Sequence, residues 1–397
     1  MKKAFLPLVL FVLILAMPAL AQEAEDITSQ CRITVASKSW TTERLYDRDW
    51  DSYWNGETGG KTVTIICPEP AYGLYLCWME EPGAWTLEQK VKGTWNKTEY
   101  PAGPFMHQYL PLSGASELRL KPAGKSVKWF GLEEIFVLGA GEVPPYVQIW
   151  QQPDDSCDLL VFFAHPDDET LFFGGTIPVY AGERRLDVVA CSLSYATRTR
   201  QSELLNSLWT MGMRNYPVFG PFHDSYSMNL SEAYAQFGKS KVKGFVTELF
   251  RKYRPRVVVT HDLDGEYGHG MHRMCADASL YAFDAAADAG KFKKTADQYG
   301  VYEVSKLYLH LYPENALEMD WDIPLSAFSG RTGFEMAREA YLKHISQHRY
   351  EQFQVEPRDS EQSSYRFGLA ETRVGPDLDR NDFMENIVTD TFNVNQP

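Results

Sequence analysis

Positive charge, paired cysteines and long apolar runs are all scarce in this chain. Lys and Arg number 39 against 53 Asp and Glu, a formal net charge of −14 over 397 residues. No stretch gathers the cations into a stripe, and a surface of this sign repels phosphate backbones, so nucleic acid is not an expected partner. The six cysteines, Cys31, Cys67, Cys77, Cys157, Cys191 and Cys275, contain no C-x-x-C pair, which argues against a thiolate metal site. A bridge between Cys67 and Cys77 across two neighbouring strands and burial as free thiols are both open. One apolar run stands out, Ala4 to Ala16, preceded by Lys2-Lys3 and followed by Ala19-Leu20-Ala21. It is shorter than the roughly 20 residues of a bilayer span and no lipobox cysteine follows, so it reads as a signal peptide over 1–21, cleaved after Ala21. The expectation is a secreted, extracellular protein of a bacterium-like cell with no transmembrane segment in the mature chain; its oligomeric state is not specified.

What is present divides in two, as the length suits two domains. Residues 27–146 carry short β-prone runs: Cys31 to Ala36, Thr62 to Cys67, Gly73 to Met79, Trp85 to Val91, Glu117 to Leu120 and Val127 to Leu138. Turn residues at Asn55-Gly56, Gly59-Gly60 and Pro82-Gly83 separate them, the pattern of an all-β sandwich. After a linker over 147–156 the rhythm changes. Apolar strands at Asp158 to Ala164, Leu186 to Ser192, Val257 to Thr260 and Lys306 to Leu311 alternate with helical stretches at Thr199 to Met211, Ser240 to Tyr253 and Met271 to Ala287. That alternation predicts an α/β, Rossmann-like parallel sheet over 157–350, with ligands gathered outside the carboxyl ends of its strands. A C-terminal extension, 351–397, follows, either as a lid over the site mouth or as a brace.

The chemistry-bearing residues sit where that rule puts them. The first α/β strand runs into His165-Pro166-Asp167-Asp168-Glu169; the proline fixes the turn and presents the acids at a helix start, where exposed N–H groups favour negative charge. A helix cap with a spare acid is the plain alternative. A later strand ends in His261-Asp262, and Gly268-His269-Gly270-Met271-His272 leads into a helix, with capping or surface histidines as the alternative. Two imidazoles and a carboxylate leave an open metal position for water, which a hydrolytic zinc site needs. The same set describes non-haem iron oxygenases, but these space the first His and acid by one residue in a β-barrel.

The Ala164 to Glu169 motif, Arg200-Gln201-Ser202-Glu203 and Gly268 to His272 resemble the LmbE-like family, which includes N-acetylglucosaminyl-phosphatidylinositol (PIG-L) and mycothiol-pathway deacetylases. The resemblance implies that His165, Asp168 and His272 bind one Zn2+, with iron(II) as the alternative ion. It implies Asp167 as the general base, His269 polarising the amide carbonyl or protonating the departing amine, Arg200 contacting substrate and Glu203 bracing the loop. Many relatives have Pro-Asp where this chain has Gly270-Met271. The segment Arg338 to Gln347 also resembles a late family helix, with a solvated amphipathic helix favoured slightly over a substrate contact.

In the first region, Val35-Ala36-Ser37, Leu45 to Asp49 and Tyr53-Trp54 are similar to discoidin modules, galactose-binding-like sandwiches that often hold sugars. Trp50 and Trp54 are the candidate sugar contacts, with core packing as the alternative. The resulting expectation is a de-N-acetylase acting on an N-acetylated glycan or amino sugar. An amidohydrolase of a non-sugar amide and a catalytically silent carbohydrate-binding protein are the competing classes.

Overall fold

The computed structural model describes residues 22–35, 42–56, 62–123 and 130–388. The signal-peptide reading of 1–21, Ala36-Ser37, the Gly59-Gly60 turn and the expected strand start at Val127 lie outside them.

Seven strands build the first region: β1 (Arg32–Val35), β2 (Trp54–Asn55), β3 (Val63–Trp78), β4 (Trp85–Val91), β5 (Thr94–Tyr100), β6 (His107–Pro122) and β7 (Gly131–Leu138). They pair in the order β2-β7-β3-β6-β4-β5 with β1 against β3, so one hydrogen-bonded network links the strands of the expected all-β region. β3 runs unbroken through Pro68 and Pro70 because its register against β6 slips between Ile66 and Gly73, where missing donors are tolerated. The slip changes the alternation: Val63, Ile65 and Cys67 face the core before it, and Leu74, Leu76 and Trp78 after it.

Trp54, Trp78 and Trp85 fill that core with Leu118 and Ile135. Trp54 is therefore not a sugar contact: it has no exposed surface and meets Phe130 edge-on at 6.3 Å. Trp50 is half-buried, with its ring 6.2 Å from that of His107 and 6.4 Å from that of Phe136. Cys67 and Cys77 both lie on β3, ten residues apart and on the order of 30 Å along an extended strand, so the fold rules out a bridge between them.

The second region contains β8 (Cys157–Phe163), α1 (Asp168–Leu171), β9 (Val188–Ser194), α2 (Arg198–Thr210), β10 (Val218–Phe222), α3 (Leu230–Phe237), α4 (Lys239–Tyr253) and β11 (Pro255–Thr260). Then follow α5 (Gly270–Ala285), α6 (Lys293–Tyr299), β12 (Lys306–His310), β13 (Ala316–Glu318), α7 (Gly333–Tyr341) and β14 (Arg366–Thr372). The sheet order is β10-β9-β8-β11-β12-β14-β13, parallel from β10 to β12. Its parallel strands follow the doubly wound order, whose direction reverses between β8 and β11.

Alternate residues of β8 divide between the two faces. Leu159, Val161 and Phe163 pack with Leu204, Leu205 and Leu208 of α2, while Leu160 and Phe162 pack with Val242 and Val246 of α4 and Met274 of α5. Helices on both faces explain why these strands are continuously apolar. β14 pairs antiparallel with β12, and Lys306 of β12 holds Asp377 in a buried ion pair. The C-terminal extension thus completes the sheet instead of forming a separate lid. The β-rich region packs directly on this layer: Met106 shares a cluster with Trp150 and Tyr216, and buried Glu133 of β7 accepts a 2.8 Å hydrogen bond from Ser202 of α2. No helix among the described residues is long and apolar enough to cross a membrane.

Candidate metal centre and active site

Residues 164–167 make the turn from β8 into α1, and Asp167 adopts φ 122° there. A side chain in that region costs about 1–3 kcal/mol and persists only when its surroundings enforce it. Those surroundings are explicit. The Asp167 N–H donates to Glu169 Oε2 at 2.8 Å, and its carbonyl accepts from Thr170 Oγ1 at 2.8 Å and from the Thr170 and Leu171 N–H groups. Glu169 is itself fixed by Ser207 Oγ at 2.6 Å and His344 Nε2 at 2.7 Å. The Asp167 side chain makes no capping hydrogen bond; its Oδ1 lies 3.1 Å from Arg200. The helix-cap alternative therefore fails for this acid. Burial and neighbouring Asp168 push the Asp167 carboxyl up to about 7, against the pull of Arg200.

Around Asp168, three histidines share one buried carboxylate, Glu266. The Ala164 N–H donates to His261 Nε2 at 3.0 Å, which makes that nitrogen an acceptor and puts the proton on Nδ1. His261 Nδ1 then donates to Glu266 Oε2 at 2.7 Å, and His272 Nδ1 donates to the same oxygen at 2.7 Å. His310 Nδ1 meets Glu266 Oε1 at 2.6 Å. Although burial alone would raise it, these imidazoles hold the Glu266 carboxyl well below the usual range.

His272 consequently turns Nε2, with a free lone pair, toward Asp168. That atom is buried and has no hydrogen-bond partner. Ligand atoms of His165, Asp168 and His272 all lie within 4.8 Å of one another. An orphaned buried imidazole nitrogen beside a carboxylate and a second imidazole fits a divalent ion with an open position, and Glu266 stands behind His272 as the outer-shell carboxylate such ligands keep. His261, Glu266 and His272 also lie close together, but their ligand atoms face each other in hydrogen bonds and form support instead.

His269 caps α5: its Nδ1 accepts the Met271 N–H at 3.1 Å, leaving the ring proton on Nε2. Burial, reinforced by His165 and His272, pushes its pKa down to about 2. The Gly270-Met271 departure has a steric basis. A Cβ at Gly270 would sit 2.3 Å from the Asn229 carbonyl, and Met271 Sδ approaches His165 Nε2 at 3.3 Å.

Arg200, expected at the substrate, has its guanidinium bound to Asp224, the Pro166 carbonyl and Asp167. Glu203 accepts from Ser346 N–H at 2.6 Å and Ser346 Oγ at 2.7 Å. The segment from Arg338 to Gln347 is solvated at Arg338, Leu342, Lys343 and Ile345, but His344 within it is wholly buried and locks Glu169. Sequence reading left Glu266, Asp224, His310 and Tyr267 without a role. Tyr267 meets His269 and His272 edge-on with its half-exposed ring, centroids 5.7 and 5.3 Å away. For Glu266 a signal existed, an acid between two histidine clusters, since histidine ligands commonly have a carboxylate behind them.

Fold and site define a doubly wound α/β protein with a His-Asp-His cluster that could hold a metal ion at its switch point. The family model described as GlcNAc-PI de-N-acetylase (PIG-L) matches residues 160–283. A Tsukamurella paurometabola 1D-myo-inositol 2-acetamido-2-deoxy-alpha-D-glucopyranoside deacetylase is 30% identical over 217 residues, 43% of this chain and 71% of that protein. A Catenulispora acidiphila deacetylase of the same description is 27% identical over 207 residues, 45% of this chain and 61% of that one, so less than two-thirds of its length is matched. The chain belongs to the PIG-L family. Among solved structures, N,N'-diacetylchitobiose deacetylase from Pyrococcus horikoshii aligns at 17% identity over 50% of this chain and 73% of its own, with a TM-score of 0.36. An F5/8 type C domain from Bacteroides fragilis aligns at 12% identity over 31% and 98%, with a TM-score of 0.24.

Proposed function

We propose that the protein is a secreted, zinc-dependent de-N-acetylase that hydrolyses the N-acetyl group of an amino sugar or glycan to acetate and a free amine. The observation that carries this is the partnerless His272 Nε2, gathered with His165 and Asp168 beside the strained Asp167. The names of the related deacetylases support the same reaction.

His165, Asp168 and His272 would hold the ion, which supplies a Lewis acid and an acidified water. Asp167, buried beside the would-be ligands, takes the proton of the attacking water. Arg200 on Oδ1 orients that carboxylate. His269 offers its Nε2–H to the amide oxygen as negative charge develops there. The proton held by Asp167 then passes to the departing nitrogen, which completes the hydrolysis. The lysine-led apolar run over 1–21 supports export, which favours an extracellular glycan as substrate.

The test is acetate release from a panel of N-acetylated glycans and simple N-acetyl amides by zinc-loaded protein and its Asp167→Asn variant. Release from sugars by the wild type, falling about 10²–10⁴-fold in the variant, is expected. Equal release by both proteins, or release from non-sugar amides alone, would refute the reading.

A further inference from the structure

Cys31 and Cys67 face one another across β1 and β3. The antiparallel ladder pairs Arg32 with Ile66, Ile33 with Ile65, Thr34 with Thr64 and Val35 with Val63, so one further step sets Cys31 opposite Cys67. The side chains follow the backbone: Cys31 packs against the core cluster that contains Cys67, the two thiols are close enough to influence one another, and Cys31 Sγ donates to the Ile27 carbonyl at 3.4 Å. Directly opposed residues hold their Cβ atoms about 4.5–5.5 Å apart, and a disulfide needs about 3.5–4.5 Å. A small closure of the strand pair suffices. Cys31 is partly exposed while the other five cysteines are buried, so an oxidant in solution meets Cys31 first.

We propose that Cys31 and Cys67 form a disulfide that staples β1 to β3, made by exchange with an oxidant of the disulfide class. The Cys31 thiolate attacks the oxidant's S–S bond, forming a mixed disulfide and releasing one thiol. Cys67 then attacks the Cys31 sulfur, forming the new S–S bond and releasing the second thiol. Two cysteines are oxidised, one oxidant disulfide is reduced, and both protons leave on the released thiols. The consequence is structural. Among the described residues β1 pairs with β3 alone, and the closed loop contains the core residues Leu45 and Trp54. Occurrence in the cell rests on the export reading; the geometry does not.

The test equilibrates the full chain, purified in the reduced state, with glutathione disulfide under native conditions. It is then alkylated in denaturant and digested. A Cys31–Cys67 linked peptide lighter by two hydrogens is expected, with the other four cysteines alkylated and a melting midpoint raised by roughly 10 °C. Neither Cys31→Ser nor Cys67→Ser should show that rise. Six alkylated cysteines, or Cys31 arrested as a glutathione adduct, would overturn the proposal. The same linked peptide is expected in protein secreted by an exporting host, and its absence there overturns the disulfide as a native feature. Failure of the export reading would look different, as cytoplasmic protein with its N-terminus uncleaved.

Discussion

Replacing Glu266 by Gln tests the site from behind. Glu266 Oε2 accepts from His261 and His272 at 2.7 Å each, and Oε1 meets His310 at 2.6 Å. An amide keeps the volume but has one oxygen, and its NH2 carries no lone pair. In one orientation the NH2 faces His310, whose Nε2 donates to the Ser363 carbonyl at 3.0 Å and whose Nδ1 can then accept, so only the negative charge behind His272 is lost; in the other the NH2 faces His261 and His272. If His272 is the one affected, its proton moves to Nε2 and the lone pair facing Asp168 is lost. Removing such an outer-shell carboxylate typically lowers metal affinity about 10–100-fold, and Glu266→Gln should fall in that range by competition against a chromophoric chelator. Glu266→Ala orphans buried imidazole donors outright, at about 1–3 kcal/mol each, and should lower apo-protein stability by roughly 3–5 kcal/mol in urea. A Gln variant that binds zinc as tightly as wild type would refute the claim that the Glu266 charge supports His272 as a ligand.

Other expected outcomes concern the β-rich region. Burial, with Glu134 adding to it and Ser202 opposing, pushes Glu133 up to about 8 from 4.5. The folded state then keeps a proton that the unfolded chain has lost, so stability falls as pH rises from 4.5 to about 8. Glu133→Gln should therefore exceed wild type by roughly 2–4 kcal/mol at about pH 9, and parallel pH–stability curves for the two proteins would count against this. Trp54→Ala should cost about 3–5 kcal/mol in a denaturant titration, because the ring is fully buried. Trp50→Ala should cost distinctly less, and the reverse order would undo the assignment of Trp54 to the core.

The elements that were legible in sequence are those with a strong local pattern. β8, β11 and β12 are continuous apolar runs buried on both faces, and the Asp167-Asp168 turn follows β8 directly. β5 was not legible because nearly all of it is exposed and polar. β14 was missed because its place in the sheet is set by pairing with β12, a tertiary preference. The unity of β3 was hidden by Pro68 and Pro70, which punctuate local sequence yet sit at a register slip. In the site, His165, Asp168 and His272 were legible through their motifs' resemblance to the LmbE-like family. Their support was not: His344 reaches Glu169 across 175 residues, and His310 reaches Glu266 across 44. Only folding brings such pairs together.

The most direct test of the central claim is a zinc titration of metal-free protein that follows acetate release from an N-acetylglucosamine oligosaccharide as ion is added. Activity should rise linearly and plateau at one equivalent per chain, and His272→Ala should neither bind the ion at that stoichiometry nor release acetate. Full activity in the metal-free protein, or unchanged activity in His272→Ala, would contradict the account.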